Sequence, residues 1–199
     1  MLGSELTPSL LWYGYVQGAF PMTMDDDSVE WFLPKRRTLL PIEGIHVSKS
    51  LRKVIRSGKF EIRFDTAFRE VMLGCLRPTD NWISDDFVRV YCLAHEQGWA
   101  HSCECWQGDD LVGGVYGLSL GCVFCAESMF HRATDASKVA LWALVEHCRE
   151  LGFHLIDAQL MNPHLASLGA YEVPHDEYMS KLAVALKKPT EWSKAPLVV

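Results

Sequence analysis

The 199-residue sequence lacks several features that would assign it to a special class of protein. No apolar run reaches 18 residues, so the sequence predicts no helix that crosses a bilayer. The first residues, Met1 to Glu5, lack the basic region of a secretory signal peptide. No internal repeat or low-complexity tract is present. With 49% hydrophobic and 22% charged residues, the composition is typical of a water-soluble globular protein with one main domain.

The cysteine pattern favours neither a disulfide framework nor a zinc site. Seven cysteines is an odd number, which would leave one unpaired in a secreted protein, so we expect a reduced, cytoplasmic location. Cys103 and Cys105 share one face of a predicted strand, but Cys122 and Cys125 face opposite sides of another. This spacing does not bring four sulfurs together, and we expect no metal and buried thiols that pack as small apolar groups.

Charge is distributed unevenly along the chain. Ten of the 19 Lys and Arg residues, but only three of the 25 Asp and Glu residues, lie between Lys35 and Arg69. A basic segment in an otherwise acidic protein indicates contact with a polyanion. An equally ordinary interpretation is a solvent-exposed helix face that happens to be rich in lysine.

The order of predicted elements indicates an α+β fold. Helices come first, then a three-stranded meander from Trp99 to Ser128, a helix from Asp135 to Leu151, a buried strand and further short elements. Thr7, Ser48, Asp65 and Ser84 are predicted helix N-caps. This order is typical of an acetyltransferase-like (GNAT-like) domain, a mixed sheet flanked by helices, over residues 46–199. Residues 1–45 would form a small N-terminal domain.

Two polar residues stand out in the predicted buried strand 153–158 and just after it. Asp157 and Gln159 share one face two positions apart and could act on one bound group. Alternatively, Asp157 pairs with a base such as Lys138 or caps the following helix. Binding of coenzyme A is disfavoured, because the segment 129–138 has no glycine and carries Asp135 where a pyrophosphate would approach a helix. Nothing in the sequence requires a covalent mechanism.

Taken together, ten motifs resemble the leucyl/phenylalanyl-tRNA–protein transferase family, bacterial aminoacyl transferases of the N-degron pathway. They run in order from about residue 12 to 180: Gly18-Ala19-Phe20-Pro21, Trp31 with Pro34 and Arg37, His46-x-Ser48-x-Ser50-Leu51, Trp82-Ile83, Ala100-His101-Ser102-x-Glu104, Leu111-Val112-Gly113-Gly114-x-Tyr116-Gly117, Glu127-Ser128-Met129-Phe130, Ala136-Ser137-Lys138-x-Ala140-Leu141, Ile156-Asp157-x-Gln159 and Ser167-Leu168-Gly169-Ala170.

The resemblance implies an enzyme that moves Leu, Phe or Met from aminoacyl-tRNA to the N-terminal Arg or Lys of a protein, creating an N-degron in the cytoplasm. It implies no cofactor, no metal and no membrane. By resemblance, Asp157 and Gln159 are the catalytic pair, with Asp157 orienting or deprotonating the acceptor amine through Gln159. The aminoacyl-adenosine site would comprise Trp31, Phe32, Trp82, Glu127, Ser128, Met129, Leu141, Leu144, Cys148 and Ile156, with Trp82 and either Trp31 or Phe32 stacking on the terminal adenine.

The basic segment then has a role in this interpretation. The tRNA phosphates would be contacted by Lys35, Arg36, Arg37, Lys49, Arg52, Lys53 and Arg56. Two other functions stay open at this point: a CoA-dependent N-acyltransferase, and a non-catalytic tRNA- or N-degron-binding module of the same fold. Met22 after Phe20-Pro21, Asn81 before Trp82 and Ala126 before Glu127 depart from the family pattern and leave the donor preference open.

Overall fold

A computed structural model describes residues 6–26, 28–79 and 81–192. The helices are α1 (Pro8–Val16), α2 (Lys49–Arg56), α3 (Phe68–Gly74), α4 (Asp85–Glu96), α5 (Ala136–Glu150), α6 (Pro163–Ser167) and α7 (His175–Ala185). The strands are β1 (Phe20–Thr23), β2 (Val29–Phe32), β3 (Arg36–Leu40), β4 (Glu61–Phe64), β5 (Ala100–Gln107), β6 (Asp110–Leu120), β7 (Val123–His131), β8 (Leu155–Asp157) and β9 (Tyr171–Pro174).

Seven of these strands form a mixed sheet in the order β4-β5-β6-β7-β8-β3-β9, and β1 and β2 form a separate hairpin. Neighbouring strands are antiparallel except β7 and β8, which are parallel. The expectation of an α+β fold, with a mixed sheet flanked by helices and a small N-terminal region, is confirmed.

The sheet separates two apolar layers. Alternate residues of β6 point to opposite faces, with Val115 on the face covered by α5 and Tyr116 on the face covered by α1, α3, α4 and α7. The α5 face also buries Cys103 and Cys105, whereas Cys122 and Cys125 both lie in the other layer. The expectation that Cys122 and Cys125 face opposite sides of a strand is wrong, because Cys122 precedes β7. The two cysteine pairs are therefore on opposite sides of the sheet.

Strand β3 ties the N-terminal part of the chain to the main sheet. Leu39 and Leu40 pair with β8, and Arg36 to Leu39 pair with β9. A boundary after residue 45 would divide β3 from both strands that it pairs with. The division into residues 1–45 and 46–199 stays a prediction.

Three of the four predicted N-caps are confirmed, since Thr7, Ser48 and Ser84 each accept a backbone N–H of the first helical turn. The prediction for Asp65 is wrong. Its carboxylate instead accepts the backbone N–H of Ser102 at 2.9 Å. The backbone N–H groups just before α3 are bound by the buried carboxylate of Glu104, which reaches them from β5.

Candidate active site

A cavity of about 710 Å³ opens where β7 and β8 separate. The two strands pair only as far as Cys125 and Asp157, and the backbone that follows Asp157 hydrogen-bonds instead to Thr38 of β3. The gap between them is lined by the end of β7 and by the segment after β8. Ligand sites commonly lie at such a divergence, because the carboxyl ends of neighbouring strands bring polar groups together beside an open space.

A β-bulge directs Glu127 into this cavity. Tyr116 pairs with Ser128 and Gly117 pairs with Ala126, which leaves Glu127 as the extra residue of β7. Gly117 is required at this position, because a side-chain carbon on it would lie 2.1 Å from the carbonyl oxygen of Cys125. The bulge breaks the alternation of β7 and lets a carboxylate reach the cavity at the end of an apolar strand.

The Glu127 carboxylate is held by neutral hydrogen-bond donors. Tyr91 donates from its hydroxyl to Oε2 at 3.1 Å, and Gln159 donates from Nε2 to Oε1 at 3.0 Å. The hydroxyls of Tyr15 and Tyr91 lie 3.1 Å apart. Burial raises the pKa of Glu127 to about 7 and the charge of Asp157 adds to this rise, while hydrogen bonding by the two tyrosines opposes it. Glu127 is therefore poised to change its protonation state near neutral pH.

Asp157 lies in a different environment from Glu127. Its side chain is fully buried, and Arg37 binds it in a bidentate ion pair, with Nε to Oδ1 at 2.8 Å and Nη2 to Oδ2 at 2.6 Å. The Tyr178 hydroxyl and the backbone N–H of Gln159 supply two further donors, at 2.9 and 3.0 Å. The carboxylate therefore has four donors and no open side toward the cavity.

Gln159 connects the two carboxylates. Its backbone is bound by Asp157 and has a φ of 54°, a left-handed conformation that a residue with a side chain rarely adopts. Its side chain reaches Glu127 in the cavity. The sequence predicted that Asp157 and Gln159 share one face and could act on one bound group, but in the structure only Gln159 lines the cavity and Asp157 contacts the Gln159 backbone. The alternative pairing of Asp157 with Lys138 is wrong, because the partner of Asp157 is Arg37 and Lys138 pairs with Asp135.

Arg37 is the clearest correction to the predicted phosphate contacts. Only 1% of its side chain is exposed, and its remaining guanidinium nitrogen, Nη1, donates to the carbonyl of Gly18 at 2.9 Å. Burial lowers the pKa of Arg37, but the charge and hydrogen bonds of Asp157 raise it above its ordinary value. The guanidinium also lies over the Phe20 and Tyr178 rings. Each of its three guanidinium nitrogens donates inside the protein and the side chain is buried, so Arg37 does not present a cation to a tRNA phosphate.

The other predicted basic residues are exposed. Four of them line a shallow groove of about 430 Å³ along α2, which carries no acid in its first turn: Lys49, Arg52, Lys53 and Arg56. None of these four forms an ion pair with another residue in the described part of the chain. Lys35 is exposed beside β3, and Arg36 pairs with Glu172 at 3.5 Å.

The predicted aminoacyl-adenosine residues divide into two groups. Those that line the cavity are Trp82, Glu127, Ser128, Met129 and Leu141. Those that do not line it are Trp31, Phe32, Leu144, Cys148 and Ile156.

Each residue of the second group has another role in the packing. Leu144, Cys148 and Ile156 are fully buried between α5 and the sheet, one layer below the cavity. Trp31 lies against Gly14 of α1, since a side-chain carbon on Gly14 would be 1.8 Å from the indole ring. Phe32 stacks on Phe20 with 5.9 Å between ring centroids.

Several residues that line or flank the cavity were not among the site residues predicted from the sequence. Met22 lines the cavity close to Trp82, because the next residue, Thr23, donates its backbone N–H to the Trp82 carbonyl at 3.2 Å. Tyr15 and Tyr91 lie on the apolar stripes of helices, a position typical of core residues. The motif Gly18-Ala19-Phe20-Pro21 was the available signal for this region, and its second half does line the cavity.

One cluster, Asp65 with His95 and His101, has the separations of a metal site. However, His95 Nδ1 lies 2.7 Å from the carbonyl of Ala100, which only accepts, so this nitrogen carries a proton and is not a ligand. His101 Nδ1 lies 2.9 Å from the Asp65 carboxylate in an ordinary imidazole–carboxylate hydrogen bond. The donor set fits a structural polar network better than a metal. Among the described residues, no helix is both long and apolar enough to span a membrane.

The chain is similar to one family over most of its length. The sequence model described as leucyl/phenylalanyl-tRNA protein transferase matches residues 39–183, and the model of that family's N-terminal domain matches residues 4–35. Three curated proteins named leucyl/phenylalanyl-tRNA–protein transferase illustrate the similarity. The one from Herpetosiphon aurantiacus is 51% identical over 184 residues, which cover 92% of this chain and 96% of the relative.

The relative from Roseobacter denitrificans is 44% identical over 195 residues, covering 97% of this chain and 93% of the relative. The relative from Shewanella baltica (strain OS155) is 40% identical over 205 residues, covering 100% of this chain and 86% of the relative.

Proposed function

Because the chain belongs to the leucyl/phenylalanyl-tRNA–protein transferase family, we propose that it transfers Leu, Phe or Met from aminoacyl-tRNA to the N-terminal Arg or Lys of acceptor proteins. The observation that carries the proposal is the cavity between β7 and β8, where the Glu127–Gln159 pair meets an apolar wall and an indole at the rim. We place the reaction in the cytoplasm, where aminoacyl-tRNA is made.

The walls of the cavity suit the donor end of an aminoacyl-tRNA. Apolar side chains of the layer beneath α5 line one wall of it: Leu40, Val115, Ala126, Leu141 and Leu165. They accept an uncharged, branched or aromatic side chain, and they disfavour a charged one because its hydration would be lost. Trp82 at the rim offers an aromatic face to the terminal adenine, a contact worth about 1–3 kcal/mol. The nearby Met22 supplies a polarisable apolar neighbour in place of a second ring.

The transfer forms one C–N bond and breaks one C–O bond. The acceptor α-amine attacks the ester carbonyl, the ribose hydroxyl leaves, and the amine proton is lost while the ribose oxygen gains one. Ester to amide is downhill, so orientation of the two substrates and stabilisation of the tetrahedral oxyanion account for most of the catalysis. These tasks need hydrogen-bonding groups of fixed position, and neither metal nor cofactor takes part in the scheme.

In this scheme the two carboxylates have different tasks. Asp157, held by Arg37 and Tyr178, fixes the backbone of Gln159 and is a positioning residue. Gln159 donates its side-chain N–H to Glu127, which leaves the amide oxygen to accept a hydrogen bond from the attacking amine. Glu127, with its pKa near 7, binds an ammonium group of the donor or acceptor and takes up a proton as the amine is consumed.

The exposed basic face of α2 would bind the tRNA acceptor stem. Lys49, Arg52, Lys53 and Arg56 present four cations on one helix face. Such contacts to phosphates are independent of sequence and weaken with salt. They supply affinity for the tRNA body, whereas the cavity selects the amino acid.

The proposal is tested by incubating the purified protein with tRNA charged with labelled Leu, Phe, Met or Arg and with peptides that begin with Arg, Lys or Asp. Label from Leu, Phe and Met should appear on the Arg and Lys peptides, and label from Arg-tRNA should not. Gln159→Ala should lose at least a hundredfold in kcat/KM, the scale of a group that positions a proton transfer. Gln107→Ala, at the exposed β5–β6 turn, is the matched control and should leave kcat/KM unchanged.

Two results would contradict the proposal. Binding of charged tRNA without transfer from any donor would indicate a binding module of the same fold. Transfer of an acetyl group from acetyl-CoA to the same peptides would indicate a CoA-dependent acyltransferase.

A further inference from the structure

Arg77 is a cation at the cavity rim to which no role has been given so far. It lines the cavity from the loop between α3 and α4, the same loop that carries Trp82. It is exposed and forms no ion pair with any described residue. Four other arginines on the surface, by contrast, form ion pairs, with Glu172, Glu61, Asp86 and Glu146 respectively.

The loop that carries Arg77 and Trp82 is held by its own hydrogen bonds. The Arg77 backbone N–H donates to Asn81 Oδ1 at 3.3 Å, and Asn81 Nδ2 donates to the Ile83 carbonyl at 2.8 Å. Trp82 meets Phe87 edge to face with 5.9 Å between centroids. Asn81 therefore fixes the turn from both sides, so that the guanidinium of residue 77 and the indole of residue 82 lie on the same rim.

The charges that line the cavity are arranged along its depth. Glu127 lines it from the β7 bulge, beside the point where β7 and β8 separate, and the exposed Arg77 lines it from the loop that also carries Trp82. A ligand that stacks on Trp82 and extends inward to Glu127 would thus meet a cation on its outer side. In an aminoacyl-nucleotide the base and the ester flank the ribose, and the 5′-phosphate is the anionic group that remains outside.

We propose that Arg77 binds the 5′-phosphate of the terminal nucleotide of the donor, so that the cavity recognises an aminoacyl-nucleotide rather than an aminoacyl-nucleoside. A guanidinium can bind two phosphate oxygens at once, which fixes the nucleotide in orientation as well as in position. Arg77 is then a positioning residue that sets how deeply the ester enters the cavity. The assignment rests on the proposed function, since it takes the donor to be the 3′ end of a tRNA.

The experiment compares two non-hydrolysable ligands, the amide analogue of phenylalanyl-adenosine with and without a 5′-phosphate. The unmodified protein should bind the phosphorylated analogue about tenfold more tightly at low salt, the scale of a charge-assisted hydrogen bond near solvent. Arg77→Ala should bind both analogues with equal Kd, and Arg77→Lys should retain part of the preference because it keeps the charge but not the fork. The affinity for the unphosphorylated analogue should stay the same in all three proteins.

Two control variants make the result specific. Arg69→Ala removes an exposed arginine of α3 that does not line the cavity, and it should keep the full preference. Lys138→Ala removes a cation beside His164 of the cavity lining, and it should also keep the preference. If Lys138→Ala abolishes the preference instead, the phosphate lies at the opposite rim and the assignment to Arg77 is wrong.

The remaining outcomes distinguish a failure of the Arg77 assignment from a failure of the proposed function. Equal binding of both analogues by the unmodified protein, or a preference that survives in Arg77→Ala, overturns the role of Arg77 while the proposed function stands. Binding of neither analogue overturns the donor site of the proposed function and the role of Arg77 with it.

Discussion

Replacement of Arg37 by Gln tests whether this residue neutralises the buried Asp157 or contacts a tRNA phosphate. The substitution removes the cation that binds Asp157 through two hydrogen bonds of 2.8 and 2.6 Å, and it leaves a carboxylate that is fully buried. Loss of one partner of such a buried pair typically lowers the free energy of unfolding by about 3–5 kcal/mol, because the remaining charge is no longer neutralised. We expect a loss of about 4 kcal/mol for Arg37→Gln. That is a large part of the 5–15 kcal/mol by which a protein is typically stable.

The neighbouring Arg36 gives a control on the same strand. It is exposed and pairs with Glu172 at 3.5 Å, so Arg36→Gln should change the free energy of unfolding by less than about 1 kcal/mol. The assay is equilibrium unfolding in urea, followed by tryptophan fluorescence, together with the KM for aminoacyl-tRNA under native conditions. A phosphate contact would have the opposite pattern, with an increased KM and little change in stability.

A double-mutant cycle extends the test to Asp157. If the two side chains form one buried pair, Arg37→Met combined with Asp157→Asn should destabilise the protein by several kcal/mol less than the sum of the single changes. Additive effects, or an Arg37→Gln protein that unfolds within about 1 kcal/mol of the unmodified one, would refute the argument that this ion pair anchors the site.

Three further predictions follow from the same geometry. The double variant Arg52→Glu, Lys53→Glu should have a higher KM for aminoacyl-tRNA, and this KM should depend less on salt between 50 and 200 mM, with little change in kcat. An unchanged KM would mean that α2 is only a solvent-exposed helix face. Gly14→Ala should displace Trp31 and destabilise the protein by about 1–3 kcal/mol in thermal unfolding, because the new carbon would lie 1.8 Å from the indole; an unaltered Tm would contradict this contact. The unmodified protein should lose up to about 3 kcal/mol of stability, relative to Glu127→Gln, as the pH rises from about 4.5 to 7. The reason is that the Glu127 carboxyl binds its proton more tightly in the folded state than in the unfolded chain. A stability difference between the two proteins that is independent of pH would refute the raised pKa.

Elements with a local sequence signal were predicted well. The meander follows from strands punctuated by a Gly-Asp-Asp turn and by Gly121, and α1, α2 and α4 from Ser or Thr caps followed by helical periodicity. Such signals depend on a few adjacent residues, so they survive without knowledge of the tertiary structure. Asp65 has the same local signal and fails because Glu104, 39 positions later, binds the N–H groups that it was expected to cap.

Residues whose role depends on a long-range partner could not be assigned in this way. In the sequence Arg37 belongs to the run Lys35-Arg36-Arg37, and nothing local distinguishes the buried member from its exposed neighbours. Its burial follows from its place in β3, where residues 37–40 are all buried, and from Asp157, which lies 120 positions away on the neighbouring strand β8. Likewise, Leu141 and Cys148 belong to one apolar stripe of α5, but only Leu141 lines the cavity.

The two carboxylates of the site illustrate how partners, rather than residue type, decide chemistry. Both lie in neighbouring strands, Glu127 in β7 and Asp157 at the end of β8. Asp157 accepts four hydrogen bonds, two of them from the Arg37 guanidinium, and it does not line the cavity. Glu127 has no cation in hydrogen-bond contact and keeps a side open to the cavity, and burial therefore raises its pKa to about 7. In the proposed transfer, a carboxylate that accepts the proton of the attacking amine must face the substrate, and of the two carboxylates only Glu127 lines the cavity.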